Sequence, residues 1–151
     1  MRGARIVRRK APWREFPIRL RGWDCPTFPS MRSYRSLEAW QSAHLLCLLV
    51  MQTADTAYRP QSAPLLAQLR RAAISVEANI VEGYALGTAA LFRRHLRIAL
   101  GSAAEVECLV GIGREMHYLP DDAVQQLSTL IDETIRRLYG LVRSQQLHTH
   151  G

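Results

Sequence analysis

The sequence predicts an all-α protein, an antiparallel up-down-up-down four-helix bundle, on three observations. Apolar residues recur at three- and four-residue steps through four successive stretches. Short segments carrying Pro, Gly or Asp separate them. No stretch alternates apolar and polar residues as a half-buried strand would. With 151 residues, 48% apolar and 22% charged, the chain can build one core without staples.

The first helix is expected over residues 36–56, with Ser36 as N-cap and an apolar stripe of Leu37, Trp40, His44, Cys47, Met51 and Ala54. "YRPQSAP" then breaks the chain at Pro60 and Pro64, and the second helix starts near Ala63 or Pro64, where a first-turn proline is tolerated. Its stripe is Leu65, Leu69, Ala72/Ala73, Val76 and Ile80, and Gly87 ends it in the position that favours a left-handed residue. Thr88 caps the third helix, residues 89 to about 117, which carries Leu91/Phe92, His95/Leu96, Ala99, Ala103, Val106 and Val110. "LPDD" separates it from the fourth, residues 122 to about 146, whose stripe is Val124, Leu127, Leu130/Ile131, Thr134/Ile135, Leu138 and Leu141/Val142. The very short turn after Tyr84 makes the second and third helices antiparallel neighbours. "HLLCLLVM" is apolar on more faces than one bundle buries, which predicts a second buried surface and hence a homo-oligomer.

The net charge of +7 is unevenly placed. Residues 1–30 contain eight basic residues against Glu15 and Asp24, with prolines at 12, 17, 26 and 29. Residues 1–32 therefore read as a basic, Pro-rich, disordered extension, and Met31 as a plausible true start; a basic arm for nucleic acid is the alternative. The bundle occupies residues 33–146, and 147–151 form a tail. The longest apolar run is Leu45–Met51, far short of the roughly 20 residues of a membrane span. Cys25, Cys47 and Cys108 are too few and too scattered for a disulfide framework or a zinc site. His44, His95 and His117 are isolated, and His148 and His150 end the chain. The expectation is a cytoplasmic protein with no metal, no cofactor and no membrane partner.

Ser75, Asn79 and Glu82, spaced by four and three, share one face of the second helix, which Gln68 and Arg71 extend. Folding the hairpin at Gly87 sets Asn79 level with His95, and Ala72 level with Gly101 and Ser102. Glu82 is expected to pair with Arg93 or Arg94. Gly101 and Ser102 are expected to let the two backbones approach at Ala72 and Ala73. With Glu105 these residues form a structural polar network. A hydrolytic triad of Ser75, His95 and Glu82 lacks a nucleophile elbow and an oxyanion turn, and the Glu-x-x-His pairs of di-metal bundles are missing. No catalytic residue is assigned, and the protein reads as non-enzymatic.

Three stretches, "SYRSLEAWQSAHLL", "LRRAAISVEANIVEGY" and "RRHLRIALGSAAEVECLV", closely resemble the bacterial four-helix-bundle proteins of the 23S rRNA intervening-sequence family. The resemblance rests on Tyr34, Leu37 and Trp40; Arg70, Arg71 and Ala72; Ser75, Val76, Asn79, Ile80, Glu82 and Gly83; and Leu100, Gly101, Ser102 and Glu105. Glu77 stands where the family usually has Pro. Related proteins act as accessory proteins of diversity-generating retroelements. The resemblance implies a ring-like pentamer and, for some members, a nucleic-acid-binding role. The candidates for that role here are Arg70, Arg71, Arg93, Arg94, Arg97, Arg136 and Arg137. In a ring each becomes a circle of charge, suited to the phosphate backbone of RNA or DNA. The competing expectation is a protein-interaction accessory subunit, such as a partner of a reverse transcriptase.

Overall fold

The computed structural model describes residues 34–147, with side chains through Ser144. The extension expected over residues 1–32, the start at Met31, Cys25 and the two C-terminal histidines lie outside the described residues. A 3-10 turn, Tyr34–Ser36, leads into four helices: α1 Glu38–Thr56, α2 Ala63–Ala85, α3 Ala89–Glu115 and α4 Asp121–Leu147. No strand occurs among the described residues, and no described helix is long and apolar enough to cross a membrane. The protein is a four-helix bundle.

The helix ends follow local chemistry. Ser36 is not the first cap: it lies in the 3-10 turn, and Leu37 occupies the N-cap of α1 with no side-chain cap bond. Ser62 was not anticipated. It is fully buried, its Oγ donates toward the Ala57 and Arg59 carbonyls and accepts from the Arg59 amide, and so it ties the α1–α2 connection together. Gly87 has φ 71°, the left-handed conformation that terminates α2. Thr88 Oγ1 then accepts the Leu91 amide at 3.3 Å and caps α3. At the other end of α3, His117 turns left-handed with φ 55° and the Tyr118 amide reaches back to the Gly113 carbonyl at 2.8 Å. Leu119 folds over Gly113 so closely that an added Cβ there would lie 2.7 Å from Leu119 Cδ1. Asp121 and Asp122 open α4, where their charge complements the helix dipole.

Contacts between neighbouring helices run in opposite directions along the chain. Asp55 pairs with Arg70 and His44 with Glu77 across α1 and α2. Gln68 meets Glu105, Ser75 meets Ser102, and Asn79 meets His95 across α2 and α3. One cleft between α3 and α4 has Glu107, Gly111 and Arg114 on one wall and Asp132, Ser128 and Val124 on the other. Between α1 and α4, Arg137 donates to the Glu38 carbonyl at 3.0 Å.

The expected stripes of α2, α3 and α4 supply the core: Leu69, Val76, Ile80, Leu96, Val106, Leu127, Ile131 and Leu138 are all essentially inaccessible. The expected stripe of α1 holds only in part: Ala54 is fully buried and Leu37, Trp40 and Cys47 pack against the core, but the buried face is centred elsewhere. Its core residues are Ala39, Ala43, Leu46, Leu49, Val50 and Ala54, whereas Leu37, Trp40, His44, Cys47 and Met51 are half-buried. The apolar surplus of α1 is therefore largely core, and it does not by itself imply a second buried surface. Trp40 stacks on His44 with centroids 5.0 Å apart, and Tyr34 packs edge-on against both Trp40 and Tyr84. Tyr84 in turn meets Phe92. The Tyr-x-x-Leu-x-x-Trp opening thus forms an aromatic latch over one end of the bundle.

Candidate nucleic-acid interface

Two features compete for function: the polar seam between α2 and α3, and the arginines. In the seam, the Ser75 and Ser102 hydroxyls share a 2.8 Å hydrogen bond. Asn79 Nδ2 donates to the Ser75 carbonyl at 2.9 Å and to its Oγ at 3.2 Å. With its amide hydrogens so placed, Asn79 Oδ1 is the acceptor for His95 Nδ1 at 3.1 Å, which fixes the proton on that ring nitrogen. Every one of these groups has a partner inside the hairpin, so the seam holds register. Ser75 turns to Ser102 and His95 to Asn79, so the three residues of the imagined triad form no relay.

Parts of the expected network differ. Glu82 does not pair with Arg93 or Arg94. Its side chain is 64% exposed, and its carboxylate lies 3.7 Å from His95 Nδ1. The helical step carries Glu82 to the edge of the seam while Asn79 takes the inside. Glu105 is exposed as well and accepts from Gln68 Nε2 at 2.5 Å. Gly101 does not face Ala72: it is exposed, and an added Cβ would meet nothing within 4 Å. The close approach lies at Gly83, where a Cβ would fall 2.6 Å from His95 Cβ and 3.1 Å from Phe92 Cδ2. Ser102 alone of that pair turns inward.

The arginines divide by partner and by position. Arg70 pairs with Asp55, and Arg137 with Glu133 at 2.6 Å and with Glu38 at 3.9 Å. Arg71, Arg93, Arg94, Arg97 and Arg136 have no carboxylate within ion-pair distance among the described residues, and neither does Arg143, which the sequence did not single out. Position along the helices sorts the charges as well. The halves of the four helices next to the α2–α3 turn hold Arg35, Arg93, Arg94, Arg97, Arg136, Arg137 and Arg143 against Glu38, Glu77 and Glu82. The opposite halves and their connections hold Arg59, Arg70, Arg71 and Arg114 against Asp55, Glu105, Glu107, Glu115, Asp121, Asp122, Asp132 and Glu133. One end is basic, and the other is acidic. The bundle unites Arg93, Arg94 and Arg97 with Arg136 and Arg137, and it separates all five from Arg70 and Arg71.

Among the described residues, no group of three His, Cys, Asp or Glu side chains could hold a metal ion. The Cys47 thiol is pushed up to about 11, first by burial and then by the charge of Glu77, so it is a poor nucleophile. Large apolar side chains remain exposed on α2 and α3, Ile74 at 49% and Ile98 at 43%.

Residues 35–140 match the family model described as 23S rRNA-intervening sequence protein. Among solved structures, the chain resembles a protein of unknown function from the S23 ribosomal protein family of Bacteroides thetaiotaomicron. The two are 19% identical, with a TM-score of 0.54, and the match covers 68% of this chain and 98% of that one. No curated protein matches the sequence significantly.

Proposed function

The chain belongs to the 23S rRNA-intervening sequence protein family, and on that premise we propose a non-enzymatic, cytoplasmic up-down-up-down bundle that self-associates and binds the phosphate backbone of nucleic acid at its basic end. The supporting observation is the gathering of Arg93, Arg94, Arg97, Arg136 and Arg143 at one end with no acidic partner in reach. Unpaired guanidiniums on a scaffold whose opposite end is acidic give the bundle an orientation in the field of a polyanion. Binding of this kind releases counterions, so affinity falls steeply with salt and depends little on sequence. Self-association, as a ring of copies, would repeat the basic end around an axis and add the patches together. The exposed Ile74 and Ile98 supply apolar surface for such contacts.

The test is a salt titration of binding to a structured RNA by residues 31–151, which lack the basic extension. Measurable binding near 50 mM salt that weakens at least tenfold by about 200 mM is the expected result. Absence of binding at the lower salt overturns the reading and favours a protein-interaction accessory subunit. Light scattering on the same sample should give a mass larger than one chain, and a monomer would remove the self-associating part.

A further inference from the structure

The α3–α4 groove changes character along its length. Its acidic half is the cleft lined by Glu107, Gly111 and Arg114 from α3 and by Val124, Ser128 and Asp132 from α4. Antiparallel packing with Glu107 opposite Asp132 would set Leu100 and Gly101 level with Tyr139, and Arg97 level with Arg143, toward the basic end. Tyr139 is 57% exposed, its hydroxyl has no hydrogen-bond partner, and its ring meets no other aromatic group among the described residues. Arg136 and Arg143, three residues before Tyr139 and four after it, share its face of α4. Arg93 and Arg97 stand about four turns before Glu107 and Gly111 on α3, which places them on the same side of that helix.

We infer that Tyr139 is a stacking platform for an unpaired base, and that the basic half of the α3–α4 groove holds a single nucleic-acid strand. This deepens the nucleic-acid reading and rests on it. An exposed ring set among guanidiniums offers what single strands require: a flat apolar face for the base, and cations on both sides for the phosphates. Bases in a duplex are already stacked and cannot present a face to the ring. The carboxylates of Glu107 and Asp132 repel a backbone running further along the groove, so the site is short and spans a few nucleotides.

The experiment uses the full chain and two probes, an oligouridylate of about 12 nucleotides and an RNA duplex of the same length. Tyr139→Ala should weaken the single strand about tenfold and the duplex less than about twofold, and Tyr139→Phe should restore single-strand binding. The salt slope should stay unchanged, because no phosphate contact is removed. The melting temperature should also hold, because the ring is exposed. Equal loss on both probes, or no loss on either, overturns the stacking site while the general reading stands. Wild-type protein that binds neither probe overturns both. A smaller assembly for Tyr139→Ala in sedimentation would assign the ring to a contact between copies and also overturn it.

Discussion

The seam between α2 and α3 and the groove between α3 and α4 share one helix and use polar side chains in opposite ways. In the seam, Ser75, Asn79, His95 and Ser102 bond to one another at 2.8 to 3.2 Å. In the groove, Arg93, Arg97 and Arg143 have no acidic partner among the described residues, and Tyr139 has no ring to pack on. The same residue classes build the fold where they are paired and are available to a ligand where they are not.

The largest break in this contrast comes from filling the seam. Gly83→Val should cost about 3 kcal/mol, because the new Cβ would collide with His95 Cβ, backed by its helix, and with Phe92. Urea denaturation measures it, and a cost below about 1 kcal/mol would mean that the helices are free to part. Asn79→Ala should cost about 2 kcal/mol in the same assay, since it strips His95 Nδ1 and Ser75 of a partner at once. Gly101→Ala sharpens the contrast from the outside of α3. With nothing within 4 Å of the new Cβ, it should raise stability by up to about 1 kcal/mol, whereas a loss would place Gly101 in a contact.

The smallest effect concerns Cys47. Its thiol is raised to about 11, chiefly by burial and also by Glu77, while an unfolded thiol titrates near 8.5 or so. Unfolding therefore releases a proton at alkaline pH. The contribution is complete below about pH 8.5 and is lost as pH climbs toward 11. Between pH 8 and 10 the wild-type urea midpoint should fall further than that of Cys47→Ala, and parallel curves would contradict the assignment.

Helix number, the Gly87 and Thr88 boundary and the Asn79–His95 level were legible because each follows from local spacing. The face of α1 was not. "HLLCLLVM" is apolar all round, and the periodicity of large residues selected Trp40 and Cys47, although the small residues Ala39 and Ala43 are the ones that let the neighbouring helices close in. Gly101 misled for a related reason. A glycine inside a helix suggests close packing, but one residue of phase decides whether it points inward, and Ser102 holds that position. Charge segregation was hidden by linear order. Arg97 and Arg143 are far apart in the chain, yet both fall in the helix halves nearer the α2–α3 turn. Tyr139 had no signal beyond its flanking arginines, since an exposed and a buried aromatic look alike in a helical pattern.

The central claim is that the basic end, rather than arginine content in general, binds nucleic acid. The direct measurement compares two charge reversals of equal size, Arg93→Glu with Arg97→Glu and Arg70→Glu with Arg71→Glu, for single-stranded RNA affinity at about 100 mM salt. At least a tenfold loss is expected for the first pair and less than about threefold for the second, with the salt slope flattened only in the first. Equal losses, or the larger loss for Arg70 and Arg71, would contradict it.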